Sequence, residues 1–145
     1  MKLFLNVDGA ARGNPGPAAI GVTLKDENRK LIATISECLG DTTNNQAEYR
    51  ALISGLKRAI RLGATQVQVY SDSELMVRQI NGIYRVKKEE LKLLHAEARR
   101  LVGRLEGFKI TSIGREKNRE ADLLANHALD AVKQRPFPVQ PGKGL

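Results

Sequence analysis

The chain has 145 residues, is 41% apolar, and carries 24 Lys and Arg against 16 Asp and Glu, a formal net charge of +8. That is one domain of ordinary size, long enough to bury a core without disulfides, and the lone Cys38 excludes an intrachain disulfide. The basic excess favours a phosphate-rich partner, with a merely basic soluble surface as the alternative, while 4% aromatics and no Trp argue against a base-stacking platform.

Lys2–Asp8 alternates, Leu3, Leu5 and Val7 against Phe4, Asn6 and Asp8, as a strand covered on both faces does. It follows Met1 at once, so no signal peptide is expected, no apolar run is long enough to span a membrane, and a cytoplasmic location follows by default. Gly13-Asn14-Pro15-Gly16-Pro17 is a strong turn signal. Ala18–Lys25 and Lys30–Leu39 read as a hairpin across Asp26-Glu27-Asn28-Arg29, giving an antiparallel meander. Asn44–Leu62 has helical periodicity through Ala47, Ala51, Leu52, Leu56 and Ala59, and Gly63 stops it. Gln66–Ser71 is a short strand expected to lie parallel to the first by a right-handed crossover. Ser73–Ile80 and Lys88–Leu105 read as helices, Phe108–Ile113 as a last strand, and Asn118–Val132 as the final helix. The spacing therefore predicts an α/β fold: a mixed five-stranded sheet, three antiparallel strands then parallel additions, with helices on both faces. Residues 1–132 form the predicted domain. Residues 133–145 hold three of the five prolines and are expected to be a flexible tail.

Four acids stand out against this basic background. Asp8 and Asp72 end strands predicted to be parallel neighbours, where open α/β sheets bind ligands. Either one alone could be a turn residue. Glu48 is three and four residues from Ala51 and Leu52, so it lies on or beside the stripe facing the sheet, unless it reaches solvent at the boundary. Asp122 precedes Ala125 and Leu129 by one and two helical turns. It could also serve as a first-turn aspartate stabilised by the helix dipole. Converging carboxylates repel, and a divalent cation resolves the conflict. Oxygen ligands alone suit Mg²⁺ or Mn²⁺ rather than zinc. His95 and His127 sit on helices away from the acids, so nucleophilic catalysis has no support, and Gly9–Gly13 lacks the Lys-Ser/Thr step of a nucleotide-cradling loop.

These pieces in this order resemble the type 1 ribonuclease H family: Asp8-Gly9-Ala10 with Gly13–Pro17, then Thr42–Glu48, then Ser71-Asp72-Ser73, then Asn118–Ala125. The resemblance covers about Lys2 to Ala131. It implies a ribonuclease H-like fold and an endonuclease that cuts the RNA strand of an RNA/DNA hybrid to 5′-phosphate and 3′-hydroxyl ends. It also implies two Mg²⁺ or Mn²⁺ ions held by Asp8, Glu48, Asp72 and Asp122. Asn14, Asn44 and Asn45 look like minor-groove contacts that sense the RNA 2′-hydroxyl. Thr43 looks like part of a DNA-phosphate pocket, and Ser73, Glu74 and Arg115 also fall on the substrate side. Asn14 could equally be a turn residue, and Asn44 or Asn45 a helix cap.

The chain departs from well-known members in three places. The loop Gly114–Asn118 has no histidine before the last aspartate, and Arg115 there is a candidate phosphate contact. Asn81–Lys88 replaces an inserted basic protrusion, as in the compact branch found among archaea and some bacteria. Hybrid binding would then fall to Arg78, Arg85, Lys87, Lys88 and Lys92. Glu74 stands where relatives often carry glutamine or methionine. The expected partner is an RNA/DNA hybrid bound by a monomer, with double-stranded RNA kept open and no membrane. A non-catalytic binding module of the same fold is the competing class.

Overall fold

The computed structural model describes residues 1–133. The tail expected over 133–145 lies outside the described residues, except that Lys133 closes the last helix. The elements are β1 (Lys2–Ala11), β2 (Gly16–Lys25), β3 (Leu31–Thr42), α1 (Asn44–Arg61), β4 (Gln66–Ser71), α2 (Glu74–Ile80), α3 (Glu89–Val102), β5 (Gly107–Ser112), a 3₁₀ turn at Arg115–Lys117 and α4 (Arg119–Lys133). The five-stranded sheet has the order β3-β2-β1-β4-β5. β1, β2 and β3 pair antiparallel, and β4 and β5 add in parallel, as the order of periodicities predicts.

Alternation along the strands separates two cores. Leu3, Leu5 and Val7 of β1, with Ile20, Val22 and Leu24 of β2, are buried in one cluster with Leu52, Leu56 and Ala59 of α1 and Leu101 of α3. The opposite face is lined by smaller side chains, Ala10 and Ala19, against Ala128 and Leu129 of α4. Helices thus cover both faces, and α4 lies alone on the shallower one. Burial of leucine-sized side chains, each worth roughly 1.5–3 kcal/mol, drives the first layer. The second depends on close backbone approach. Among the described residues no helix is long and apolar enough to cross a membrane.

Several boundaries differ from the sequence expectation: β2 starts earlier, at Gly16, β3 runs on to Thr42, and α3 stops at Val102. β1 does not end at Asp8 but runs on to Ala11, because Asp8–Ala11 keep antiparallel partners in Gly21–Ala18. The cap of α1 is Thr43, not Asn44 or Asn45. Its hydroxyl accepts from Gln46 N–H at 3.2 Å while Gln46 Oε1 accepts from Thr43 N–H at 3.2 Å, a reciprocal capping box.

Candidate active site

The parallel ladder between β1 and β4 ends on the pair Val7–Ser71. Asp8 and Asp72 follow immediately, where the two strands part. Two glycines bring the helices to this rim. Gly9 faces α1, and a Cβ there would overlap the Ala47 carbonyl and the Glu48 backbone nitrogen. Without one, the first turn of α1 sits against β1, and Gly9 N–H donates to Glu48 Oε1 at 2.6 Å. On the other face Gly21 is the β2 partner of Asp8. A Cβ there would collide with the Ala121 carbonyl and lie 2.7 Å from Ala125 N. The α4 backbone therefore lies directly on the sheet and carries Asp122 to Asp8.

Candidate ligand oxygens of Asp8, Glu48 and Asp72 lie within 4.8 Å of one another. Asp8 and Glu48 are each only 5% exposed. Burial, then the charges of Asp72 and Asp122, then a hydrogen bond with the Asp122 side chain push Asp8 from its ordinary 3.8 up to about 8, against the opposing pull of Arg115. Glu48 is likewise held well above its ordinary value, by burial first and the Asp8 charge second, although the Gly9 N–H and Arg115 favour its ionised form. Buried carboxylates that raise one another in this way would be relieved by a cation placed between them. The donors are all carboxylate oxygens, which fits Mg²⁺ or Mn²⁺. His95 is engaged elsewhere: its Nε2 lies 3.3 Å from Gln79 O and its ring stands edge-on to Tyr49 at 6.3 Å. His127 is exposed on α4.

The acids open into a cleft of about 570 Å³ also lined by Arg12, Asn44, Ser73, Glu74, Arg115 and Asn126. Asn14 and Asn44 are both exposed at its edge, where Asn14 Oδ1 accepts from Asn44 N–H at 3.1 Å and Asn44 Oδ1 from Ala11 N–H at 3.3 Å. These ties fasten the β1–β2 turn to the start of α1. Ser73 caps α2, its Oγ accepting from Met76 N–H at 3.3 Å, and Glu74 pairs with Arg78 at 2.9 Å. Thr43 and Asn45 lie off the cleft. Asn45 instead lines an adjoining groove of about 530 Å³ with Leu75, Ile83, Tyr84, Arg85, Lys87 and Lys88. Leu75 borders both spaces. Ile83 and Tyr84, 62% and 47% exposed, give this groove an apolar floor inside a basic rim. The basic residues of this groove stand out in the sequence but its floor does not, because Asn81–Lys88 has no periodicity.

Asn118, in sequence a helix-start residue at the head of the Asn118–Ala125 segment, takes a buried role. It is 1% exposed, donates from Nδ2 to Val7 O at 2.9 Å, and accepts from Asn6 Nδ2 at 3.0 Å. Its own carbonyl accepts from Asp122 N–H at 3.1 Å. It thus pins the beginning of α4 to the strand that carries Asp8.

A family model described as reverse transcriptase-like matches residues 6–128. The chain is 41% identical to the bifunctional protein Rv2228c of Mycobacterium tuberculosis over 92% of its own length and 37% of that protein's. It is 40% identical to ribonuclease HI of Halobacterium salinarum over 85% of its length and 62% of the relative's. It therefore spans well under two thirds of the first of these curated relatives. The crystal structure of RNase H1 from Halobacterium salinarum superposes with a TM-score of 0.88 at 37% identity, covering 90% of this chain and 99% of that one. LC11-RNase H1, solved in complex with an RNA/DNA hybrid, superposes with a TM-score of 0.86 at 41% identity, covering 90% and 99%.

Proposed function

This chain belongs to the type 1 ribonuclease H family, and from that membership and its converging carboxylates we propose that it hydrolyses the RNA strand of RNA/DNA hybrids, leaving 5′-phosphate and 3′-hydroxyl ends. The observation that carries the reading is the meeting of Asp8, Glu48 and Asp72 within 4.8 Å at the rim of the sheet, with Asp122 near enough for its charge to raise the Asp8 carboxyl. A polyanion-binding protein gains nothing from uncompensated buried acids, which speaks against a purely binding role. The hybrid in the complex of the similar LC11-RNase H1 supports the choice of substrate.

In this proposal Asp8, Glu48, Asp72 and Asp122 hold two Mg²⁺ or Mn²⁺ ions. Such ions, when bound, supply an activated water for in-line attack and offset charge on the leaving 3′-oxygen. The protein's own work is placement. Gly9 N–H fixes one Glu48 oxygen and leaves the other for a ligand. Arg115, exposed at the cleft, offers a positive charge to the phosphate where the family's loop histidine is missing. Asn14, Asn44 and Asn45 stand where the 2′-hydroxyls of an RNA strand pass. Thr43 at the head of α1 offers a phosphate site at a helix N-terminus. The DNA strand continues past Leu75 into the groove of Ile83, Tyr84, Arg85, Lys87 and Lys88. Within this proposal the chain works as a cytoplasmic monomer.

The test is cleavage of end-labelled RNA/DNA hybrid, duplex RNA and duplex DNA with Mg²⁺ or Mn²⁺. Hybrid-only cutting that disappears on chelation and in Asp8→Asn is expected. Binding without cutting under every metal condition makes the chain a binding module. Comparable cutting of duplex RNA makes it a broader nuclease.

A further inference from the structure

Asp122 is held differently from the other three acids. Asp8 and Glu48 are trapped by burial, and Asp72 joins them within 4.8 Å. Asp122 is half-buried, comes from the helix on the opposite face, and falls outside that tight set. A half-exposed aspartate has freedom about its side-chain torsions, and ordering it costs free energy on ligand binding.

A run of side chains along α4 removes that freedom. Asp122, Asn126 and Asp130 are spaced four residues apart and share one stripe of the helix. Asn126 Nδ2 donates to Asp122 Oδ1 at 3.1 Å and to the Asp122 carbonyl at 3.0 Å. Asn126 Oδ1 accepts from Arg12 Nη2 at 3.3 Å, and the same Nη2 pairs with Asp130 Oδ1 at 2.6 Å. The carboxamide is thereby locked in one orientation. Flipped, it would set its oxygen against the Asp122 carboxylate and its NH₂ against the guanidinium, both repulsive. Arg12 is itself anchored through its backbone N–H, which donates to Pro17 O at 2.8 Å. The brace therefore runs from the end of β1, across Asn126, to Oδ1 of Asp122.

We propose that Asn126, braced by Arg12 and Asp130, is a positioning residue that fixes the Asp122 carboxylate for cation binding. The inference rests on the metal-dependent nuclease reading above and adds to it a residue of the cleft wall that acts through Asp122. Groups that orient metal ligands typically change metal affinity by about 10–100-fold when removed.

The experiment is calorimetric titration of the full chain with Mn²⁺ alone, without nucleic acid. It compares wild type, Asn126→Ala, Asp122→Asn and the double variant, each checked by thermal unfolding in chelator. Asn126→Ala is expected to weaken Mn²⁺ binding by roughly 10-fold with little change in unfolding temperature. Because it acts through Asp122, it is expected to weaken binding no further in the Asp122→Asn background. Equal Mn²⁺ affinity in wild type and Asn126→Ala overturns the positioning role and leaves the nuclease reading standing. Additive losses in the double variant also overturn it, since they mark a general structural effect. If the wild-type chain binds no Mn²⁺ at any concentration that saturates such sites, the nuclease reading itself fails.

Discussion

Asp8 concentrates the electrostatic conflict of this protein. Its carboxyl, ordinarily at 3.8, is pushed up to about 8 by burial and by Asp72 and Asp122. In the metal-free protein the native state therefore holds a proton that the unfolded chain gives up above about pH 4. Stability from this group is fully present below pH 4 and is lost as pH rises through about 8. Glu48 pulls in the same direction. Asp8→Asn keeps the shape and removes the titration. In chelator it is expected to stabilise the protein by several kcal/mol at pH 8, with a ceiling of about 6 kcal/mol for four tenfold changes in proton affinity at about 1.4 kcal/mol each. The gain should shrink towards zero near pH 4. Urea unfolding at both pH values measures it, and a gain that is equal at both, or absent, removes the charge-conflict account. The same proton must leave before a cation can bind. Mn²⁺ affinity is therefore expected to tighten steadily from pH 6 to about 8 and then level off. Calorimetry in buffers of different ionisation enthalpy should register proton release on binding, and pH-independent affinity would contradict the raised carboxyl.

At the scale of elements, the site exists because two helices touch the sheet through glycine. A methyl at Gly9 would meet the backbone of Ala47 and Glu48, and one at Gly21 the backbone of Ala121 and Ala125. Neither partner is a flexible side chain that can swing away. Gly9→Ala and Gly21→Ala are each expected to cost about 2–3 kcal/mol in urea unfolding, at the upper end of ordinary overpacking. Where the folded state survives, Gly9→Ala should also weaken Mn²⁺ binding, because relieving the clash moves Glu48 off the rim. Wild-type stability in either variant would show that the helix has slack the geometry denies. Helix and strand periods were legible because α1 buries one clear stripe and β1 alternates buried with half-buried residues as far as Val7. Asp8 and Asp72 stood out by ending neighbouring strands, Glu48 and Asp122 by their phase on a helix stripe. The continuation of β1 past Asp8 was not, since it depends on pairing with Gly21–Ala18 of another strand. A glycine in a sequence does not say whose backbone approaches it. Asn118 and Asn126 look like ordinary polar helix residues until Val7 O and Asp122 Oδ1 appear beside them.

The whole molecule sets a basic surface around an acidic cleft: a net +8 that includes the four negative carboxylates of the site. A nucleic acid is attracted overall yet repelled at the point of reaction, so its grip must come from elsewhere. Under the proposed function the groove beside the cleft would supply it, with exposed Arg85, Lys87 and Lys88 around Ile83 and Tyr84. Contacts of this kind release counterions, and binding weakens with salt by a slope of about 0.9 per neutralised phosphate on a duplex. Replacing Arg85, Lys87 and Lys88 together by Gln is expected to flatten the plot of log K against log salt for a hybrid by roughly 2–3. It should raise KM while leaving kcat nearly unchanged, since no carboxylate is disturbed and the lost interactions are common to ground and transition states. Fluorescence anisotropy of a labelled hybrid over a salt series, together with steady-state cleavage, measures both quantities. If the slope is unchanged while KM rises, the three cations do not contact phosphate and the groove acts through its apolar floor. If kcat falls as well, the groove helps align the scissile bond, and grip and chemistry are not separate jobs in this fold.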